Sequence, residues 1–261
     1  MSILQKIAAT KKEEVAVLKK ERGLASLKAG ARAQAPPLDF LKAITRAGKL
    51  SVIGELKKAS PSKGILRAGF DVEQLATLYA RAGVQALSVL TDVQYFHGSL
   101  AYLKLAKQAS RLPVLRKDFI IDEHQVYEAR EAQADAILLI VAMLSPGQLK
   151  ELQSLAFELG MAVLVEVHDA KELDAALGTG IRLLGVNNRN LNDFHVTLET
   201  TERLIPKCPS GLPVVSESGI FTREDATRVR GLGASAILVG EAFMTAPDLE
   251  AAVKALLPEG H

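Results

Sequence analysis

The chain has one cysteine, Cys208, in 261 residues, which excludes a disulfide framework and a cysteine-cluster metal site and makes a reducing cytoplasm the expected setting. Tryptophan is absent altogether, so the chain has little fluorescence of its own. Neither charge dominates. Lys plus Arg is 32 against 30 Asp plus Glu, a formal charge of +2, so no broad basic surface for nucleic acid or an anionic membrane is expected. A local anion site is still allowed. No run approaches the roughly 18 apolar residues of a membrane span, and the opening MSILQKIAATKKEEVAVLKKERG breaks its apolar positions with lysine and glutamate, unlike a signal peptide. Repeats, low-complexity tracts and linkers are missing too, so residues 1–261 are expected to form one domain, with no obligate protein partner evident.

Several chemistries lack their motifs. The histidines at 97, 124, 168, 195 and 261 show neither HxH nor HExxH spacing, so no metal site is expected. His168, after a strand, reads as a rim residue. No G-x-S-x-G elbow exists and Cys208, between Lys207 and Pro209, has no evident activating base, so a nucleophilic serine or cysteine is unsupported. Gly231-Leu232-Gly233-Ala234-Ser235-Ala236 fits G-x-G-x-x-A but precedes a strand, whereas a dinucleotide fingerprint follows one. It reads as a helix-to-strand loop.

What is present is the balance of a globular chain, 48% apolar and 24% charged, with eight short apolar runs. They are Ser51–Lys57, Ala86–Leu90, Pro113–Lys117, Ala136–Val141, Ala162–Val167, Leu183–Asn187, Pro213–Ser216 and Ala236–Gly240. Helical spacing fills the intervals, as in Asp71–Ala82, Glu123–Ala132, Pro146–Leu159, Lys171–Leu177, Leu198–Ile205 and Arg223–Arg230. Strands such as AILLIV, apolar without alternation, are buried on both faces, which predicts a parallel sheet covered by helices. Eight β/α units in about 250 residues predict a closed (β/α)8 barrel, a TIM barrel, in preference to an open doubly wound sheet. Residues 1–48 should form a helical extension, with Ile3, Ile7, Val15 and Leu18 on one face, Ser2 as N-cap and Gly23 as stop.

Active sites of such barrels lie at the C-terminal ends of the strands. There the sequence places Glu55 and Lys57, on one face by period-2 alternation, then Lys117, Glu166, Asn187 and Glu217. One charged strand end is readily explained as a bracing ion pair. Five together are a poor way to stabilise a barrel, because each charge must be desolvated. Lysines lower the pKa of nearby carboxylates while burial pushes both groups toward neutrality, so a mixed cluster can divide acid and base roles. Gly219 and Gly240 follow the seventh and eighth runs, where many barrels cradle a phosphate.

At these residues the chain resembles the indole-3-glycerol phosphate synthases. The resemblance rests on Glu55 to Gly64 (ELKKASPSKG), Leu90-Thr91-Asp92 with Tyr95-Phe96-His97-Gly98-Ser99, and Leu115 to Ile120 (LRKDFI). It continues through Ala136 to Ile140, Leu164 to His168 (LVEVH), Gly185 to Leu191 (GVNNRNL), Glu217-Ser218-Gly219-Ile220 and Val239-Gly240-Glu241. It implies decarboxylating ring closure and dehydration of 1-(2-carboxyphenylamino)-1-deoxyribulose 5-phosphate, a phosphorylated small molecule, without a cofactor. Lys117 would be the general acid and Glu166 the carboxylate serving the ring intermediate, with Lys57, Glu55, Asn187 and Glu217 assisting dehydration. Ser60, Lys57, Arg189, Gly219, Gly240 and Glu241 would hold the phosphate, and Phe96, Phe119 and Leu138 the anthranilate ring. Gly54 and Ala242 depart from the family's usual Ala and Ser. Two rivals stay open on the residues alone: another phosphate-binding barrel enzyme, an isomerase or a Schiff-base aldolase with Lys117 as nucleophile, and an inactive barrel kept as a binding module.

Overall fold

The computed structural model describes residues 3–190 and 194–257. Ser2, expected as an N-cap, Leu191 of the resembling motif, and His261 lie outside them. Eight parallel strands close a barrel: β1 Ser51–Leu56, β2 Ala86–Leu90, β3 Val114–Lys117, β4 Ala136–Ile140, β5 Ala162–Val167, β6 Leu184–Asn187, β7 Val214–Glu217 and β8 Ala236–Val239. Each pairs with its sequence neighbours, and β1 closes the ring by pairing Ser51 with Ala236 and Gly54 with Val239 on β8. The expected (β/α)8 barrel is therefore present. Strand limits agree within a residue or two. The seventh strand extends through Glu217 instead of stopping at Ser216, and Val141 leaves the fourth to start a 3-10 turn at Val141–Met143.

Helices α1 Ile3–Glu21, α2 Leu24–Arg32 and α3 Phe40–Ile44 precede the barrel, and Gly23 both follows α1 and caps α2. The outer helices are α4 Val72–Ala82, α5 Ala101–Ser110, α6 Glu123–Glu131, α7 Pro146–Glu158, α8 Ala170–Leu177, α9 Glu199–Leu204, α10 Arg223–Gly231, the short α11 Glu241–Met244, and α12 Leu249–Leu256. Their starts follow from local chemistry. Asp71, Asp122, Ser145, Asp169, Thr222 and Asp248 each accept a hydrogen bond from a first-turn N–H, which satisfies a donor with no partner inside the helix. No helix among the described residues is long and apolar enough to cross a membrane.

Apolar side chains form two layers. Strand residues such as Val52, Val89, Val114 and Ile237 pack outward on the helices, while Ile53, Leu115, Leu138, Leu164, Val215 and Leu238 fill the barrel. The inner layer includes Phe40 and Ile44 of α3, fully buried beside residues at strand beginnings such as Ala86, Ala136 and Ala236. Thus α3 plugs the end opposite the expected site. A short antiparallel ribbon, Ala59–Ser60 with Gly64–Ile65, rises after β1 at the other end.

Candidate active site

The strand ends converge on an open-mouthed cavity of about 1170 Å³. Glu55, Lys57, Lys117, Glu166, Asn187 and Glu217 line it, as do Ser60, Arg189, Gly219, Gly240, Glu241, Phe96, Phe119 and Leu138. Every residue expected at the site from sequence is brought to this one cavity. The barrel explains why: alternate residues point inward, and the last inward residue of each strand faces the mouth.

At its floor the Lys117 ammonium lies 3.2 Å from Glu217, 3.5 Å from Glu166 and 4.0 Å from Glu55. Lys57 lies 2.8 Å from Glu55. Burial works against the charge of Lys117, but Glu217, Glu166 and Glu55 outweigh it and raise its pKa above the usual lysine value. Burial would likewise raise Glu55 and Glu166. Lys57 and Lys117 instead hold Glu55 low, and Lys117, His168 and Asn187 bring Glu166 down to about 2. Glu217 goes the other way, pushed up to about 8 by burial and by the nearby Glu166 and Glu55 charges. Of the three carboxyl groups around Lys117, Glu55 and Glu166 are therefore held as the stronger acids and Glu217 is the weakest. Glycine makes room for it, since a Cβ at Gly185 would overlap Glu217 Oε1 and one at Gly240 would overlap Glu55 Oε2.

The wall toward β6, β7 and β8 is polar in a different way. Asn187 Oδ1 accepts from the backbone N–H of Arg189 at 3.0 Å, and the Arg189 guanidinium lies 3.3 Å from Glu241, whose other oxygen meets Lys63. Ser218 and Gly219 adopt left-handed backbone, φ 65° and 79°, and a Cβ on Gly219 would come within 2.7 Å of Val196. Buried Asn188 holds this turn, donating to the Glu217 and Ser218 carbonyls while accepting from Thr201. Gly240 precedes α11, so the first N–H groups of that turn point toward the mouth without helical partners. Because the Glu241 side chain already pairs with two cations, its backbone is what it can offer an anion. On the apolar wall, the Phe96 and Phe119 rings lie 6.0 Å apart and Leu138 closes the floor.

Sequence reasoning missed three side chains. Lys11 of α1 reads as part of a solvated face, yet it is 1% exposed, with its ammonium 2.7 Å from Asp92 and 2.9 Å from Asp118. Asp92 in turn accepts from the backbone N–H groups of Tyr95 and Phe96, and Asp118 follows Lys117. The first turns of α1 thereby become part of the mouth, through Ile3, Leu4 and Ile7. Tyr79 packs on Gly54, where a Cβ would meet its ring at 2.7 Å, and its hydroxyl donates to the Glu55 carbonyl. Gly54 thus suits this chain's own packing. His168, expected on the rim, is half-buried with Nε2 3.3 Å from Glu166, a pairing that the period-2 spacing of Glu166 and His168 could have signalled.

Comparison with known proteins bears on the fold and the family. By fold alone, the chain is like thiamine phosphate pyrophosphorylase from Pyrococcus furiosus, with a TM-score of 0.60 and 21% identity over 83% of this chain and 95% of that one. N-acetylmannosamine-6-phosphate 2-epimerase from Clostridium perfringens is similar, with a TM-score of 0.61 and 17% identity over 80% of this chain and 93% of that one. In sequence, it is 54% identical over 249 residues to an indole-3-glycerol phosphate synthase of Bordetella pertussis, covering 94% of this chain and 95% of that protein. It is 53% identical over 255 residues to the enzyme of that name from Laribacter hongkongensis, covering 96% and 97%. The profile of that family matches residues 4–256 without interruption, and the chain belongs to the indole-3-glycerol phosphate synthase family.

Proposed function

We propose that the chain performs its family's decarboxylating ring closure through the Lys117 cluster, as a step of tryptophan biosynthesis carried out in the cytoplasm. The observation that carries the residue assignment is one buried ammonium within 4.0 Å of carboxyl groups from three different strands, at the floor of a cavity with a polar and an aromatic wall. Phe96, Phe119 and Leu138 hold the anthranilate ring. Ser60, Arg189 and the backbone at Gly219, Gly240 and Glu241 hold the phosphate, with Lys57 between the two ends.

In this pose the ring carbon bearing the carboxylate attacks the ketone carbon, and Lys117 gives its proton to the ketone oxygen. Its raised pKa does not prevent this, because the developing alkoxide is a stronger base than an amine. The aniline nitrogen supplies electrons and becomes an iminium. Glu166, ionised and facing that cation, stabilises it. The bond to the carboxylate then breaks, carbon dioxide leaves, and its electron pair restores the aromatic ring. Glu217, the weakest acid of the three carboxyls, returns a proton to Lys117 and as carboxylate takes one from the carbon beside nitrogen. Lys57, held by Glu55, protonates the departing hydroxyl, which leaves as water. The protonation state of Lys117 favours an acid over an imine-forming nucleophile, which must be a neutral amine.

The test is turnover of 1-(2-carboxyphenylamino)-1-deoxyribulose 5-phosphate followed by indole fluorescence, against the low background of a chain without tryptophan. Product should form without added metal or cofactor, and borohydride with substrate should trap no covalent adduct. An adduct on Lys117 would overturn the acid role.

A further inference from the structure

His168 stands two residues beyond Glu166, just past the end of β5, with its ring between two acids. Its Nε2 lies 3.3 Å from Glu166 Oε1 and its Nδ1 lies 3.0 Å from Glu172 Oε2, on the first turn of α8. Ionised carboxylates only accept hydrogen bonds: Nδ1 bonds Glu172, while Nε2 makes no hydrogen bond yet faces Glu166 at ion-pair distance, so a ring protonated on both nitrogens suits both neighbours. A neutral imidazole would turn a lone pair toward one acid. The side chain is 12% exposed, so water can replace little of what these acids supply.

The backbone of His168 already serves the helix start. Its N–H donates to the same Glu172 oxygen at 2.8 Å, while Asp169 accepts from the Glu172 N–H at 2.8 Å. Those contacts begin α8 whatever side chain occupies position 168. The imidazole is therefore available for another task, and its remaining contact is Glu166.

Charge balance shows what that task is. Around the floor the basic groups are Lys57, Lys117 and His168, and the acidic ones Glu55, Glu166, Glu172 and Glu217, the last the weakest acid of the three beside Lys117. Glu166 is 2% exposed and must stay ionised beside two other carboxyl groups, Glu217 and Glu55. Lys117 alone is shared among all three. We propose that His168, held as an imidazolium between Glu166 and Glu172, is a positioning residue that keeps Glu166 ionised and aimed into the cavity. This rests on the role given to Glu166 above. The raised pKa of His168, about 10 despite burial, agrees with it, with Glu166 and Glu172 as the cause.

The groups facing Glu166 set the sign. Lys117 from β3, His168 just after β5 and the Asn187 amide from β6 favour the carboxylate, while burial and the carboxyl groups Glu55 and Glu217 from β1 and β7 oppose it. Removing the His168 charge must raise the Glu166 pKa, so activity should be lost at a higher pH as acid is added. Because the wild-type Glu166 pKa lies at about 2, short steady-state assays from about pH 2.5 to pH 9 on wild type, His168→Gln, Glu172→Gln and Glu166→Gln read this directly. In His168→Gln the acid limb of kcat should move up by at least one pH unit, a tenfold change in proton affinity, while KM stays within about twofold. Glu172→Gln, which keeps the helix start, should shift the limb the same way by less. If Glu166→Gln is inactive but both other variants keep the wild-type acid limb, His168 is only structural and the inference fails. If Glu166→Gln turns over normally, the role of Glu166 fails and this inference with it.

Discussion

The Lys117 ammonium is shared among three carboxyl groups, and two substitutions separate their roles. Lys117→Met should lower kcat by about 10²- to 10⁴-fold with little change in KM, because proton transfer is realised in the transition state. A variant keeping a tenth of wild-type kcat would remove Lys117 from the mechanism. Glu217 makes a prediction about stability as well as rate. Its folded pKa of about 8 lies above the usual carboxyl value of 4.5, so between those values the unfolded chain ionises while the folded one does not. The group therefore costs stability that is absent below 4.5, grows as pH rises, and levels off above 8. Glu217→Gln, neutral at every pH, should melt higher than wild type at pH 8 by more than at pH 5, while its kcat falls. A gap independent of pH would mean that Glu217 is ionised throughout. Stability given up at a working residue is a common trade in enzymes.

At the scale of elements, the helices before the barrel close both of its ends, and the two closures should fail differently. Phe40→Ala in α3 removes a fully buried ring from the barrel interior far from the cavity, which should cost about 3–5 kcal/mol in denaturant unfolding and leave KM unchanged. Lys11→Met in α1 leaves buried Asp92 without its cation, while Asp118 keeps Arg116, and losing one partner of such a cluster costs about 3–5 kcal/mol. It should also raise KM, because Asp92 shapes the Phe96 loop and α1 supplies Ile3, Leu4 and Ile7 to the mouth. Equal KM in both variants would make α1 a mere brace. The same elements show what sequence can carry. The eight strands were legible because burial on both faces forces unbroken apolar runs, and the charged cluster because a barrel sends its strand ends to one place, whereas Ser60, Arg189, Phe96, Phe119 and Leu138 were named only through the family resemblance. The ribbon at Ala59–Ser60 and Gly64–Ile65 was not, since two-residue strands leave no periodicity to read. Lys11 was not legible either: an aliphatic stem ending in a charge looks the same on a wet surface and between two aspartates.

Only the whole closed barrel brings Ser60, Arg189, Gly219 and Gly240 together, since they follow four different strands, and β1 and β8 become neighbours by the final closure. If that convergence makes the phosphate site, inorganic phosphate should bind the folded chain and not the unfolded one, raising Tm by mass action. At a hundred times its Kd the gain is about 2.7 kcal/mol. Phosphate should also inhibit competitively with substrate. Arg189 is central because its guanidinium can give charge-assisted, two-pronged bonds to phosphate oxygens, and Glu241 at 3.3 Å already holds it at the mouth. Arg189→Ala should thus lose much of the thermal shift with phosphate. It should raise KM more than it lowers kcat, as the phosphate end is remote from the reacting carbon and its contacts are nearly the same in ground and transition states. Glu241→Gln supplies the opposite sign. Removing a carboxylate that competes with phosphate for Arg189 and Lys63 should strengthen phosphate binding, unless the loss of the Lys63 and Arg189 pairs disorders both groups. An Arg189→Ala protein with the same phosphate shift and the same KM as wild type would place the anion elsewhere on the molecule.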